Sequence, residues 1–520
     1  MAGPPSGPFA TPMFKPWINR WVGFVILLCF VCVARLTDVV YLASSRQMVG
    51  DTQLLSEDIS MMGWSSFIGM TMIFPILFRL KFRFTTKGLL TFHTLALVAL
   101  NLLFIHTRNV PLMVLEAFIS GALRIAFMFE CMSSAMAGIT PKRDFAEFFP
   151  VVYLFVLGFI QITGFIDTHV TYAYNWQVMN YVDIGLLLTV CLLVQVLMRH
   201  FHMGKPMPLV GIDWLGAFLW AVFLGAVAYI FTYGEYLEWS GWYLGAGVIT
   251  ACVSLAVVLG RSLFIRHPYM EYATWNYPNV FNMLLLFFVL CFLVESQMVL
   301  QNAFTGGILH WDVLNSVRLN IPQLAGLATG AFFSRIMLAR LGWTYKSLTF
   351  LGFLFVIFYC MVVYTLIDTS TNLEKFYAPV FFLGFGYIMV YVAVTVYAQR
   401  IIPFKHFFQG LCMLGMVRTG VANPISVAIY QRALKALTIQ HTDLLGSQLN
   451  TTLPTQSMLY TLQQQATMAS IKELYGYCVI IGIVALGLIL ASHYKPLLKR
   501  YAWPTDSEIY LKIQKFILKK

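Results

Sequence analysis

The stretch LMVLEAFISGALRIAFMFECMSSAMA, residues 112–137, is apolar over a length that crosses a bilayer. About 20 residues at about 1.5 Å each suffice for that. It nevertheless carries Glu116, Arg124 and Glu130. A charge near the bilayer centre costs about 2.5–3.5 kcal/mol on insertion scales, and such residues face a partner or a water-filled path. The stretch therefore reads as an inward-facing helix of a membrane-spanning bundle. Glu116, Ser120 and Arg124 are four apart and share one face of it.

Similar runs recur along the 520 residues, 59% of which are hydrophobic and 11% charged; a soluble domain has about 25% charged residues. The runs are too long for barrel strands, so the spans are helices. Fourteen are expected, at 21–44, 59–78, 88–105, 112–137, 148–168, 176–198, 212–233, 243–264, 279–303, 312–337, 347–367, 377–398, 409–434 and 474–495. The net charge of +12 does not point to nucleic acid, because Lys and Arg concentrate in alternate short loops. Arg79, Lys81, Arg83 and Lys87 mark one such loop, Lys142 and Arg143 the next, and Arg340 and Lys346 a later one. Positive-inside bias then puts both termini in the cytoplasm. All nine cysteines lie inside apolar spans and read as small core residues. No phosphate-binding, dinucleotide or zinc-hydrolase motif occurs in a credible loop. An enzyme, a cofactor and a metal are therefore not expected, and an ion gradient is the energy source that fits.

The expected organisation is a flexible lead at 1–16, a six-helix half at 17–200, two inserted helices with their loops at 201–274, a second six-helix half at 275–500, and a basic amphipathic tail at 501–520. The halves rest on a repeat: PILFRLKFRFTTKGLL (75–90) and GAFFSRIMLARLGWTYKSL (330–348) are basic loops at equivalent places in each half. Repeated halves around a midplane site are a transporter signature. The outer connection 435–473 reads equally as an amphipathic helix or a disordered loop. Asn450-Thr451-Thr452 within it fits a glycosylation triplet, a pattern that also arises by chance.

Four stretches carry a family resemblance. They are GAFLWAVFLGAVAYIFTYGEYLEW (216–239), NWQVMNYVDIGL (175–186), FFQGLCMLGMVRTGVANPISVAI (407–429) and Thr37-Asp38-Val39-Val40. In order and spacing they resemble the fourteen-helix drug–proton antiporter branch of the major facilitator superfamily. The resemblance implies an all-α bundle of two six-helix halves plus two inserted helices. It implies gating loops carrying Arg79, Arg83, Arg335 and Arg340, and an acidic residue in the first helix at Asp38. The chain departs from the pattern at Ser334, where an aspartate is expected, and at Arg124, about two turns deeper than the usual arginine. Within the fifth span, the stretch VVYLFVLGFIQITGFID (151–167) has Gly158 and Gly164 but no proline.

The proton-coupling candidates are Asp38, Glu116 and Glu295. Burial and a neighbouring arginine move a carboxylate's proton affinity in opposite directions, which lets a rearrangement switch it. Arg35, Asp38, Glu116 and Arg124 are expected to form one network across a cavity between the first and fourth spans, or else a fixed ion pair that orients them. Glu130 reads equally as a member of the buried charge network or as a solvated residue of the cytoplasmic mouth, and Asp183 as capping the outer end of its helix. Glu295 and Arg318 match in depth and are expected to bridge. Arg418 is central in its span and is expected to pair across the cavity or attract an anion. Gln161, Gln297, Gln301, Asn302 and Asn320 are candidate pocket residues, since uncharged polar groups at depth seek partners. The 25 methionines and 44 phenylalanines suit promiscuous apolar ligands, although most will be ordinary packing.

The leading expectation is a proton-coupled secondary exporter of amphipathic, drug-like compounds, cations included, in a bacterial inner membrane. The alternatives are a carrier for a specific organic anion, siderophore or metabolite, and a non-transporting membrane receptor. The expected partners are the lipid bilayer, a small-molecule substrate and protons. An exporter of this branch can also work with a periplasmic adaptor and an outer-membrane channel, and no adaptor-binding motif supports either here.

Overall fold

The computed structural model describes residues 13–36, 42, 44–140, 144–201, 208–209, 211–265, 267–447 and 456–492. Asp38, the Asn450 triplet and the tail 501–520 lie outside them. Among the described residues the chain is helical, and the one extended pairing is an isolated bridge between Phe14 and Met198.

A first set comprises α1 (Arg20–Leu36), α2 (Ser45–Thr52), α3 (Ser56–Met72), α4 (Phe74–Arg83), α5 (Thr86–His106), α6 (Val110–Ile139), α7 (Phe145–Tyr153), α8 (Phe159–Ala173) and α9 (Trp176–Leu197). A hairpin follows, α10 (Trp214–Tyr233) and α11 (Trp242–Phe264). The second set is α12 (Val280–Ser296), α13 (Val313–Val317), α14 (Asn320–Arg335), α15 (Tyr345–Leu366), α16 (Tyr377–Ile401), α17 (Phe407–Gly415), α18 (Asn423–Ser447) and α19 (Gln456–Ala491). Eleven helical runs among the described residues are long and apolar enough to cross a membrane, or twelve if α3 and α4 form one bent span. The places of the first and tenth expected spans are held by α1, 17 residues, and α14, 16 residues. The protein is an all-α, multi-pass membrane protein.

Local sequence explains the breaks. α6 starts where the Asn109 side chain accepts a hydrogen bond from the Leu112 amide, with Pro111 in the first turn, where its missing N–H costs nothing. Pro75 does the same for α4 and deprives α3 of a donor, and the two helices bend by 56°. Glycine sets the closest helix approaches. A methyl group at Gly69 would collide with the Phe118 carbonyl and one at Gly121 with the Ser66 carbonyl, so α3 and α6 touch backbone to backbone. α14 and α16 repeat this at Gly326, against the Phe381 carbonyl, and at Gly384, against the Gln323 carbonyl. Without a hydrophobic force between helices in lipid, such contacts supply the van der Waals attraction.

Two expectations are corrected, and one left open is narrowed. The lead 1–16 is not free throughout: Met13 and Phe14 are buried, the Lys15 amide donates to the Leu197 carbonyl at 3.0 Å, and the Arg199 amide donates to the Met13 carbonyl at 2.8 Å. The segment 75–83 is helix rather than loop, because its apolar positions Ile76, Leu77 and Phe82 find a buried face. The outer connection 435–473 is helical up to Ser447 and again from Gln456. The unbroken run Phe407–Ser447 is 41 residues, about 60 Å at 1.5 Å each. It exceeds a bilayer of about 40–45 Å.

Candidate functional site

Between the two sets lies a cavity of about 160 Å³. Its wall holds eight phenylalanines (67, 74, 129, 145, 148, 149, 407 and 408), Tyr153 and Tyr391, and four methionines (70, 128, 132 and 136). Two cations complete it, Arg35 from α1 and Arg418 from the second set, and no acidic residue among the described ones lines it. Of the lining rings, Phe408 packs edge-on against Phe78 at 4.3 Å between centroids, and Phe145 meets Phe407 at 5.4 Å.

Arg418 sits on a wide π-helical turn, Met416–Ala422, between α17 and α18. Such turns insert an extra residue and recur at functional sites. The Arg418 guanidinium lies 5.3 Å from the Tyr391 ring centroid and 6.0 Å from that of Tyr387, and donates to the Tyr391 hydroxyl at 3.4 Å. Its Nε is buried with no hydrogen-bond partner. The Tyr153 ring packs edge-on against Tyr391 at 4.3 Å, and its hydroxyl bonds Thr395 at 2.8 Å, so the two sets meet beside the arginine. A second wide turn, Leu154–Gly158, lies on the opposite wall. There the Val156 carbonyl accepts from Arg35 at 3.2 Å.

Asp38 of the expected four-charge network lies outside the described residues; of the other three, Arg35 lines the cavity and Glu116 and Arg124 do not. α6 has two working faces. Ile125, Met128, Phe129, Met132 and Met136 look into the cavity. Glu116, Ser120 and Arg124 look into the first set, toward α5 and α9. Arg124 pairs with Asp183 at 2.6 Å and donates to the Ser120 hydroxyl and the Ala34 carbonyl, each at 3.3 Å. Asp183 also accepts from Asn101 at 2.9 Å. Asp183 is therefore not a wet helix cap: it is 1% exposed, and a buried carboxylate needs such partners. Glu116 is also buried, within the electrostatic reach of both Arg124 and Asp183, and no hydrogen bond reaches it among the described residues.

Glu130 is not a mouth residue. It is buried, paired with Lys81 at 3.0 Å and hydrogen-bonded by Thr86 at 2.5 Å. The amphipathic turn of α4 brings Lys81 inward, while Arg83 stays exposed and Arg79 is half-buried. Arg340 is exposed, and Arg335 donates to the Ile139 carbonyl at 3.2 Å, tying α14 to the end of α6. The expected Glu295–Arg318 bridge does not form. Arg318 is exposed in the turn between α13 and α14, and the short α13 displaces it from the span interior. Glu295 instead feels the charge of Arg418. The amide candidates are engaged elsewhere. Gln297 and Gln323 exchange two hydrogen bonds at 3.0 and 2.9 Å. Gln301 accepts from Tyr359 at 2.8 Å, and the Asn320 side chain donates to the backbone carbonyl of Gln161 at 3.3 Å. None of the three expected pocket glutamines lines the cavity. Asp183, Asn101 and Lys81 were missed as partners, and only their polar character inside or beside apolar spans signalled them.

No family model matches the sequence, and no curated protein sequence matches it. Solved structures do match the fold. The human organic anion transporter MFSD10 (TETRAN) is 8% identical, over 90% of this chain and 98% of that one, with a TM-score of 0.53. A proton dependent oligopeptide transporter is 13% identical, over 90% and 98%, with a TM-score of 0.54. A variant of the nucleoside transporter NupG is 11% identical, over 89% and 99%, with a TM-score of 0.51. The fold is a major-facilitator-type bundle. At these identities the likeness concerns the fold alone.

Proposed function

We propose that the protein is a secondary transporter whose central cavity takes amphipathic organic anions and whose cycle is coupled to protons. The observation that carries this is the cavity wall: aromatic and methionine side chains around the Arg418 guanidinium, with no described carboxylate to neutralise a cationic guest. Apolar walls with a few placed polar groups suit a small ligand, and a guanidinium is a directional partner for a carboxylate, sulfonate or phosphate. A cation would meet the Arg418 charge with no carboxylate among the described lining residues to offset it. The organic-anion alternative is thus favoured over the expectation that included cationic drugs, while the methionine- and phenylalanine-rich wall still fits amphipathic, drug-like molecules. MFSD10 transports organic anions; at 8% identity it lends the fold, and Arg418 with its surroundings lends the substrate class. Coupling to protons draws support from Glu116 and Glu295, two carboxylates deep in the helices. Membership of the drug–proton antiporter branch, fourteen spans and a cytoplasmic location for both termini remain part of the same proposal, supported by the loop charges.

The test uses two guests with one ring system and opposite charge. Purified protein in vesicles with an imposed pH gradient is offered 1-naphthalenesulfonate or 1-naphthylmethylammonium. The sulfonate is expected to move and the ammonium not, with movement lost in Arg418→Ala. Equal or preferred transport of the ammonium would overturn the anion assignment.

A further inference from the structure

The inserted hairpin is bonded to both helix sets, and it is so at both of its ends. α10 packs against α3 of the first set on one side, and against α18 and the wide turn Met416–Ala422 of the second set on the other. Its Leu224 fills the notch at Gly420, where a β-carbon would stand 2.5 Å from that side chain. The hairpin thus backs the turn that carries Arg418. α11 reaches the bundle chiefly through α10.

At the face that carries the basic loops, one carboxylate gathers the hairpin and the segment after it. Asp213 caps α10, pairs with Arg261 near the end of α11 at 2.9 Å, and accepts from the Tyr269 amide at 3.3 Å. Segment 269–274 then spans the two sets. The Tyr269 hydroxyl donates to the Met72 carbonyl at the end of α3. In an unbroken helix that carbonyl would take the Ile76 amide. Beside Pro75 the Ile76 amide instead bonds the Ile73 carbonyl at 3.0 Å, which leaves Met72 open. Toward the second set the grip is broader. The Gln409 side chain of α17 donates to the Tyr269 carbonyl at 3.4 Å and accepts from the Glu271 amide at 3.5 Å and the Thr274 hydroxyl at 3.1 Å. Glu271 also lies 3.5 Å from His406 and 3.8 Å from Lys405.

At the opposite face the balance is reversed. Asp58, buried at the start of α3, accepts from the Leu55 amide at 3.0 Å through one oxygen and from the Tyr233 hydroxyl of α10 through the other. A hydrogen bond to a carboxylate is about twice as strong as a neutral one. The second set offers Lys435 at 2.7 Å and Arg432 at 3.6 Å to Glu235, and both cations are more than half exposed. Exposed ion pairs hold weakly.

We infer that the inserted hairpin is a diagonal brace, which moves with the second set at the basic face and with the first set at the opposite face. A cavity that serves each face in turn requires the sets to part at one face while they stay joined at the other. At each face the weaker attachment yields. Opening the basic face breaks Tyr269 from Met72, and that end of the hairpin leaves with the second set. Opening the opposite face breaks Glu235 from Lys435 and Arg432, and that end stays with the first set. The two openings cost different bonds, so each can be loosened without the other. This rests on the transporter reading of the bundle and not on the charge of the substrate.

The test is backbone amide exchange with deuterium, followed by mass spectrometry of purified full-length protein without substrate. Segments 145–153 and 407–415 flank the cavity at the basic face, and segments 56–64 and 430–437 stand at the opposite face. Tyr269→Phe is expected to quicken exchange in the first two about fivefold, the worth of one neutral hydrogen bond. It is expected to leave the other two within about twofold of wild type, as distant sites behave. Lys435→Ala combined with Arg432→Ala is expected to do the reverse, quickening the second two by about two- to fivefold. A variant that quickens the wrong face, both faces alike, or neither would overturn the inference. Should Tyr269→Phe fold poorly, the substitutions at the two exposed cations carry the test alone. Protein that passes the exchange test yet moves no organic solute in vesicles would leave the brace standing and sink the transporter reading.

Discussion

Asp183 Oδ2 sits 2.6 Å from a terminal nitrogen of Arg124, in the interior of the first helix set, with both side chains at most 4% exposed. Asp183 Oδ1 is buried without a hydrogen-bond partner, so the arginine and Asn101 hold the whole carboxylate through its other oxygen. Removing one member leaves an unpaired charge where water does not reach, which costs about 3–5 kcal/mol. Asp183→Ala is therefore expected to lower the thermal midpoint in detergent strongly. The double replacement Arg124→Met with Asp183→Leu is expected to recover most of the loss, since a well-packed apolar pair is often neutral. A double variant no more stable than the single one would show that the pair does more than neutralise itself.

Glu116 lies beside that pair but off the cavity wall. Glu116→Gln keeps the shape and removes the charge. It is expected to fold with an unchanged or raised thermal midpoint and to bind 1-naphthalenesulfonate within about twofold of wild type, as sites without shared partners behave. Sulfonate movement in this variant that no longer follows an imposed pH gradient would assign the proton coupling to Glu116.

The sequence makes the fold legible because lipid leaves few choices. A charged residue inside an apolar run must turn inward, and basic loops alternate. That placed Glu116, Arg124, Glu130 and Arg418 inside a bundle. It could not say which of two inward directions each takes. Arg124 and Arg418 look alike in sequence, yet one closes on Asp183 within its own set and the other opens on the cavity. The difference lies in helix rotation and in a wide turn at Met416–Ala422, which no periodicity announces. Depth matching failed for Glu295 and Arg318 for a related reason, because the helix was expected to begin near residue 312 and the long span instead begins at Asn320.

At the rim, Glu235 in the turn after α10 receives Lys435 of α18 at 2.7 Å, with Arg432 at 3.6 Å. Slight burial raises its proton affinity, and the bonds from Lys435 and Trp239 with the two cations outweigh that, holding it below the ordinary carboxylate range. A carboxyl lowered in the folded state stabilises above its unfolded value, near pH 4.3, and the contribution is lost as pH falls through the folded value. Both cations are more than half exposed, so the contribution is small, about 0–1 kcal/mol. Glu235→Gln is expected to melt slightly below wild type at neutral pH, and the gap is expected to close at about pH 3. A gap that widens in acid would contradict the sign.

Gly415 sits at a close approach of the two sets beside the cavity. Thr71 of α3 and Thr419 bond through their hydroxyls at 3.1 Å, and a β-carbon at position 415 would stand 2.6 Å from both Oγ1 and Cγ2 of Thr71. Thr71 cannot retreat easily, because a β-branched side chain in a helix has few rotamers and its hydroxyl is already bonded to the Phe67 carbonyl at 3.0 Å. Overpacking of this kind costs about 1–3 kcal/mol. Since transport needs the sets to separate and close, Gly415→Ala is expected to disfavour this arrangement by about 5–150-fold and to slow sulfonate movement accordingly. Adding Thr71→Ala removes both atoms in the way, and the double variant is expected to regain most of the rate. If Thr71→Ala restores nothing while both variants remain folded, the defect of Gly415→Ala does not arise from its contact with α3.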